Sequence, residues 1–313
     1  MGDTKIVNGV SVPAMFSGNR ASTRSTRKKK TQLLSPKKFI EAVLAKAPNS
    51  KSFEAGCAEH YKECFLDSPT FGNYWKESNK EKNFSKNVWL YDSTRVIIPE
   101  VDYYHASWVD GIRPSQYILA QAPTNAASQK DFFKMLAHTK AEGLLVAESN
   151  DEYTAFISSK FVNGGGGGGG KKSSEKTLDD VATLTIAENG VKALKAAKMS
   201  RWGEAISAVE LVDMLEKARK FLGTISKGPL VITCKDGATR SGLVALLDTE
   251  ADRLAKTGKV KHTETVKLIR SMRCNTFDNF DVFDLGVNGI IELCTRSAAT
   301  AAAVSTTSTI KKK

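Results

Sequence analysis

An apolar run, Gly228-Pro229-Leu230-Val231-Ile232-Thr233, stops at Cys234, and a second, Gly242-Leu243-Val244-Ala245-Leu246-Leu247, begins eight positions later. Turn residues followed by a β-rich stretch make the first a buried strand, and the second opens an apolar helix behind Ser241. The connection between them is Cys234-Lys235-Asp236-Gly237-Ala238-Thr239-Arg240. A strand that feeds a short loop into a helix N-terminus gathers consecutive backbone N–H groups and adds the positive end of the helix dipole. That arrangement is an anion site, and phosphate fits it.

The residues at the ends of this loop then acquire chemistry. Cys234 lies beneath the amides, where N–H groups and a guanidinium are expected to stabilise a thiolate and lower its pKa below the ~8.5 of a free thiol, making it a nucleophile. Arg240 offers a planar fork for two phosphoryl oxygens, which lysine cannot imitate. Ser241 can donate a hydrogen bond to sulfur as it leaves a phosphocysteine. Lys235, Asp236, Gly237, Ala238 and Thr239 complete the phosphate-binding loop. The plainer alternative makes Cys234 a core residue and Arg240 a helix cap.

Around this segment the periodicities alternate. β-rich runs fall at Arg95–Ile98, Tyr103–Val109, Gln116–Ala120, Leu144–Ala147, Tyr153–Ser158, Ala182–Ile186 and Leu230–Thr233. Helical spacing occupies Ala126–His138, Ala208–Leu222, Ser241–Ala255, Thr263–Arg273 and Val282–Cys294, with earlier helices expected after Ser35-Pro36 and around Phe53–Cys64. This is an α/β chain with α+β-type layers. Seven glycines, Gly164–Gly170, followed by Lys171-Lys172-Ser173-Ser174, read as a surface insertion over 163–174. A nucleotide-binding loop is disfavoured there, because its Lys-Ser must open an apolar helix directly after a strand.

Charge bears on partners only once it is located. The 313 residues carry a formal +12, and residues 1–50 contribute ten Lys or Arg against two Asp or Glu, while the chain ends Lys311-Lys312-Lys313. The excesses of +8 and +3 account for all but one of the net charges. The expected organisation is a disordered basic tail over 1–34, one domain over 35–296, and a disordered Ala/Ser/Thr tail over 297–313. The basic run at 24–30 reads as a solvated arm, with contact to anionic surfaces as the alternative and no obligatory nucleic acid. No apolar run approaches the ~20 residues of a membrane-spanning helix, and residues 1–30 lack the apolar core of a secretory signal. Ile6 stands where a myristoylation signal has Ser or Thr. The expectation is a cytoplasmic chain whose five cysteines are free thiols.

Beyond the loop, five segments in order resemble the cysteine-dependent protein tyrosine phosphatases. Lys82-Asn83-Phe84-Ser85-Lys86-Asn87-Val88, with Tyr91-Asp92-Ser93-Thr94-Arg95-Val96, is similar to the phosphotyrosine loop. Asp102-Tyr103-Tyr104-His105-Ala106-Ser107 resembles Asp-Tyr-Ile-Asn-Ala-Ser, and Tyr117-Ile118-Leu119-Ala120-Gln121-Ala122-Pro123 resembles Tyr-Ile-Ala-Thr-Gln-Gly-Pro. Asp131-Phe132-Phe133-Lys134-Met135 resembles Asp-Phe-Trp-x-Met, and the Cys234 loop is the fifth, most like that of divergent nematode members. The likeness spans about residues 80–295. It implies a twisted mixed sheet flanked by helices, a phosphorylated protein as substrate or ligand, hydrolysis through phosphocysteine, and neither cofactor nor metal.

The departures fall on residues that carry work in the family. Ser85 aligns with the tyrosine that stacks on the substrate ring, with Phe84 one place earlier as a substitute worth ~0.5–1.5 kcal/mol of aromatic contact. Trp202-Gly203-Glu204 stands where Trp-Pro-Asp supplies the general acid, making Glu204 either that acid or a surface charge beside a core Trp202. Asp278 falls nearest the glutamine that positions water, where a carboxylate repels phosphate or acts as a base. Thr233 replaces a histidine, and Asp236 brings a carboxylate into the loop, its side chain expected to point outward with Lys235 offsetting its charge. Cys57, His60 and Cys64 share a helical face, read as apolar surface in preference to zinc, since a fourth ligand is missing. His105 and His138 lack a catalytic partner spacing, and Cys274 and Cys294 read as core. Two functions remain open: a weakly active hydrolase, and a pseudophosphatase adaptor that binds phosphorylated protein.

Overall fold

The computed structural model describes residues 4–7, 10–13, 33–45, 70–148, 161–162, 177–178, 181–186, 194–199, 201–202 and 206–310. The chain divides into two units, 1–32 and 33–313. In the first, β1 (Thr4–Val7) pairs antiparallel with β2 (Val10–Pro13), Val7 facing Val10. This hairpin stands inside the stretch expected to be disordered. β-branched residues on both sides of Asn8-Gly9 are its sequence signal.

The second unit is built on a mixed sheet. Its strands are β3 (Ala106–Val109), β4 (Tyr117–Gln121), β5 (Gly143–Val146), β6 (Phe161–Val162), β7 (Thr177–Leu178), β8 (Val181–Ile186), β9 (Leu194–Met199) and β10 (Leu230–Cys234), in the order β3-β4-β10-β5-β9-β8-β6 with β7 beside β8. β4, β10, β5 and β9 run parallel, and the flanking strands pair antiparallel. The α-helices among the described residues are α1 (Pro36–Ala45), α2 (Ala126–His138), α3 (Ala208–Leu222), α4 (Thr239–Thr257), α5 (His262–Met272) and α6 (Phe280–Ile310).

β10 lies between β4 and β5, every residue buried, which is why Leu230–Ile232 reads as continuous rather than alternating apolar sequence. The two-residue period of a strand still divides its side chains between two cores. Val231 joins Ile118, Leu144, Ala196 and the α2 residues Phe132, Phe133, Met135 and Leu136. Leu230, Ile232 and Cys234 join Leu119, Leu145 and the buried faces of α3, α4 and α6. α4 is buried continuously from Ser241 to Glu250, so it is the central helix rather than a surface one. Gly289 of α6 makes this possible, since a Cβ there would stand 2.7 Å from Leu247. The charges α4 takes inside are paired: Asp248 lies 3.3 Å from Arg219 and accepts from the Tyr117 hydroxyl at 2.7 Å, and Glu250 lies 3.1 Å from Arg253.

Two sequence expectations are corrected, and one strand stands where the sequence marked no element. Arg95–Ile98 forms only single bridges, Arg95 with Ser107 and Ile98 with Val101. Leu194-Lys195-Ala196-Ala197-Lys198-Met199, all good helix formers, is strand β9, because β5 and β8 offer ladders on both its sides. α6 runs to Ile310, past 296, through an alanine-rich stretch of high helix propensity. The expected strand at 153–158, the insertion 163–174, the basic run 24–30 and the cysteines at 57 and 64 with His60 lie outside the described residues.

Candidate active site

Four residues, 235–238, turn the chain from the end of β10 into α4. Gly237 makes the turn possible, with φ +67° and its backbone pressed so close to β4 that a Cβ would stand 2.2 Å from the Gln121 nitrogen. Its N–H donates to the Cys234 carbonyl at 3.2 Å, which also accepts from Ala122 N–H at 2.9 Å. Under the loop lies Arg273, 0% exposed. Its Nε donates to the Gly237 carbonyl at 2.8 Å, and its terminal nitrogens donate to the Asp236 carbonyl at 3.2 Å, to Ser107 Oγ at 3.2 Å and to His105 Nδ1 at 2.9 Å. His105 Nε2 in turn donates to the Val88 carbonyl at 3.0 Å. Burial and the Arg273 charge hold His105 well below its usual pKa, so the imidazole is neutral with Nδ1 as acceptor. Arg273 thus takes up the loop's carbonyls from beneath.

On the Cys234 side of the loop, Sγ lies 3.4 Å from Ser241 N–H and 3.5 Å from Ser241 Oγ, and the thiol donates to Asp236 Oδ1 at 3.2 Å. Asp236 does not point outward. Its Oδ1 accepts from the backbone N–H of Ala238 at 2.9 Å and of Thr239 at 3.0 Å, and Oδ2 accepts from the Thr239 hydroxyl. The reason is local: Ala238 caps α4 without a side-chain acceptor of its own, and the nearest carboxylate takes the unpaired amides. Burial raises the Asp236 pKa, but these hydrogen bonds from Thr239 and Ala238 outweigh it and bring the group below the usual carboxylate value. The expected activation of Cys234 is reversed as well. Burial and then the Asp236 charge push its thiol up to about 12, against the opposing hydrogen bonds of Ser241.

Arg240 forms an ion pair with Glu148, a buried acid just past β5, and its guanidinium stands 5.5 Å from the ring centre of Trp202. Trp202 is therefore a buried anchor; Glu204 lies outside the described residues. Arg240 and Thr239 line a cavity of about 740 Å³ with Trp202, Leu243, Asn279 and Asp281. Cys234, 1% exposed, is not among its lining residues.

The two candidates for the substrate ring separate. Phe84 is 40% exposed and carries the Lys235 ammonium 4.9 Å over its ring, while its N–H donates to Gln121 Oε1 at 2.8 Å. Ser85 turns its hydroxyl to its own segment, accepting from Asn87 N–H at 3.3 Å. Asp278, 59% exposed, pairs with Arg270 at 3.9 Å. Thr233 leaves its buried hydroxyl without a hydrogen-bond partner. Cys274 and Cys294 are buried free thiols.

Sequence reading assigned no role to Arg273, Gln121 or Glu148, and left His105 without a partner. Gln121 carried a signal, since it stands in the segment Tyr117–Pro123 that resembles a motif of the family, and in the structure it lies opposite Cys234 in register. The other three act across long separations; Glu148 meets Arg240 from 92 residues away, and no local pattern announces such a pair.

Among the described residues no helix is long and apolar enough to cross a membrane. The sequence model described as protein-tyrosine phosphatase matches residues 79–292. The chain is 24% identical over 240 residues to tyrosine-protein phosphatase Lar of Drosophila melanogaster, covering 66% of this chain and 11% of that protein. It is 26% identical over 224 residues to human receptor-type tyrosine-protein phosphatase zeta, covering 62% and 10%. Over 225 residues it is 24% identical to bovine receptor-type tyrosine-protein phosphatase F, covering 66% and 11%. The chain thus spans about a tenth of the length of these relatives. With a match across 79–292 and a parallel strand leading through the Cys234–Arg240 loop into a buried helix, the chain belongs to the protein-tyrosine phosphatase family.

Proposed function

We propose that this chain hydrolyses phosphotyrosine in protein through a phosphocysteine intermediate, with slow turnover. The observation that carries the reading is Cys234 at the end of a buried strand, 3.4 Å from the Ser241 amide at the start of α4, with Arg240 held one helical position away by Glu148. In the first step the thiol loses its proton to solvent, Sγ bonds to phosphorus, and the bond to the tyrosyl oxygen breaks as Glu204 gives that oxygen a proton. In the second, water bonds to phosphorus, the S–P bond breaks, and Glu204 takes back a proton. Arg240 grips two phosphoryl oxygens, Ser241 hydrogen-bonds the departing sulfur, Phe84 offers its ring to the tyrosyl ring, and Asp278 adjoins the water. A thiol held at about 12 and an unusual acid account for the slow rate.

The phosphatase domain in this reading is 35–296, the run at 24–30 is a solvated arm or a contact for anionic surfaces, and the location is cytoplasmic. A second reading, a pseudophosphatase adaptor that binds phosphorylated protein, is favoured by the Asp236 carboxylate on the loop amides. The test is an aryl phosphate at pH 5–7 with wild type and Cys234→Ser. Turnover that vanishes in the variant supports the hydrolase. Absence of turnover, with phosphotyrosine-peptide binding that fails in Arg240→Met, supports the adaptor. Loss of both sinks both.

A further inference from the structure

A phosphate loop offers its amides to an incoming anion, yet here two of them, Ala238 N–H at 2.9 Å and Thr239 N–H at 3.0 Å, are already given to Asp236 Oδ1. The Thr239 hydroxyl and the Cys234 thiol donate to the same carboxylate. Arg273 approaches from beneath, but through the Asp236 main-chain carbonyl, and the Lys235 ammonium stands over Phe84. We propose that Asp236 is a built-in occupant of the phosphate cradle, a carboxylate that a phosphoryl group must displace before it reaches Cys234.

The inference rests on reading the loop as a phosphate site and deepens it by naming what holds that site closed. The argument is one of competition. Amides at a helix N-terminus favour an anion, and two anions cannot occupy the same pair of donors a few ångströms apart without strong mutual repulsion. Asp236 is half-buried, so solvent lies within reach of a carboxylate that leaves. The same group stands 3.2 Å from Sγ, where its charge disfavours a thiolate. Displacement therefore does two things together: it frees the amides for phosphoryl oxygens, and it removes a negative neighbour from the nucleophile.

The experiment compares the full chain with Asp236→Ala and Asp236→Asn, using sodium tungstate as the oxyanion in titration calorimetry and iodoacetamide at pH 7 for Cys234, read by peptide mass spectrometry. Asp236→Ala is expected to bind tungstate about tenfold or more tighter, the size of a charge-assisted hydrogen bond returned to the ligand, and to alkylate faster. Asp236→Asn keeps an acceptor but no charge and is expected between the two. Equal tungstate affinity in wild type and Asp236→Ala, including none measurable in either, overturns the proposal. Should Asp236→Ala fail to fold, Asp236→Asn with wild-type affinity and alkylation rate overturns it instead. Tighter tungstate binding without aryl phosphate hydrolysis leaves this inference standing and sinks the hydrolase. Unchanged binding with hydrolysis does the reverse.

Discussion

Replacing Arg273 by methionine keeps an unbranched side chain of similar reach and deletes the guanidinium. Four acceptors, three buried and one partly so, then lose their donor: the Gly237 and Asp236 carbonyls, Ser107 Oγ and His105 Nδ1. An acceptor left unsatisfied in the interior costs ~1–3 kcal/mol, which sets a gross loss of ~4–12 kcal/mol. The upper part is not realised, because a fully buried guanidinium itself carries a desolvation penalty of several kcal/mol that the variant escapes, and because carbonyls at the loop can take water. The expected net loss is ~2–4 kcal/mol, a large share of the ~5–15 kcal/mol that holds a domain folded. Urea unfolding followed by circular dichroism reads it as a lower midpoint at unchanged slope. Tungstate binding is expected to fail in the same variant under conditions where it remains folded, since the loop loses its support from beneath. Arg273→Lys keeps the charge but not the fork, and is expected to recover less than half of the stability. A methionine variant within ~0.5 kcal/mol of wild type refutes the reasoning, for it means the loop holds its shape without the guanidinium.

Other outcomes follow from the same geometry. Gly237→Ala puts a Cβ 2.2 Å from the Gln121 nitrogen at a φ of +67°; a loss of ~2 kcal/mol or more is expected in the melting curve, with oxyanion binding abolished. Phe84→Ala is expected to weaken phosphotyrosine-peptide binding by about threefold to tenfold, the worth of one aromatic contact, while Ser85→Ala leaves it within about twofold; steady-state fluorescence titration separates the two. The Cys234 thiol, raised from 9.0 to about 12 in the fold, favours the folded state below pH 9, and that contribution is lost as pH climbs toward 12 because the unfolded chain releases the proton first. Stability measured from pH 8 to 11 is therefore expected to fall more steeply in wild type than in Cys234→Ser, and parallel curves contradict the assignment.

Local signals located much of the architecture. α2 and α3 occupy the residues that their periodicity marked, because each opens with a reciprocal cap, Asn125 with Ser128 and Ser207 with Glu210, ahead of an amphipathic run. β10 was legible for the opposite reason: a strand buried on both faces has no alternation to disguise. β9 was not, since its six residues prefer a helix in isolation and become a strand only between two waiting neighbours. Within the candidate site, Cys234, Arg240 and Ser241 were singled out by their spacing around a strand–helix junction, which the structure forms from β10 and α4. Phe84 rather than Ser85 faces Lys235, a choice of one residue in register, while the Ser85 hydroxyl turns back to the Asn87 amide.

What the linear order settled by itself is a strand–helix bend carrying a thiol and a guanidinium, because those features arise from neighbours along the chain: consecutive amides, a helix end, residues six apart. What only the folded arrangement decided is the state of that bend. The elevation of the Cys234 thiol, the ion pair that Glu148 makes with Arg240 and the support of Arg273 depend on groups far apart in sequence or on burial that no local pattern encodes. Short-range geometry specifies which donors exist; the interior's low dielectric and its need to satisfy every buried polar group determine what they hold.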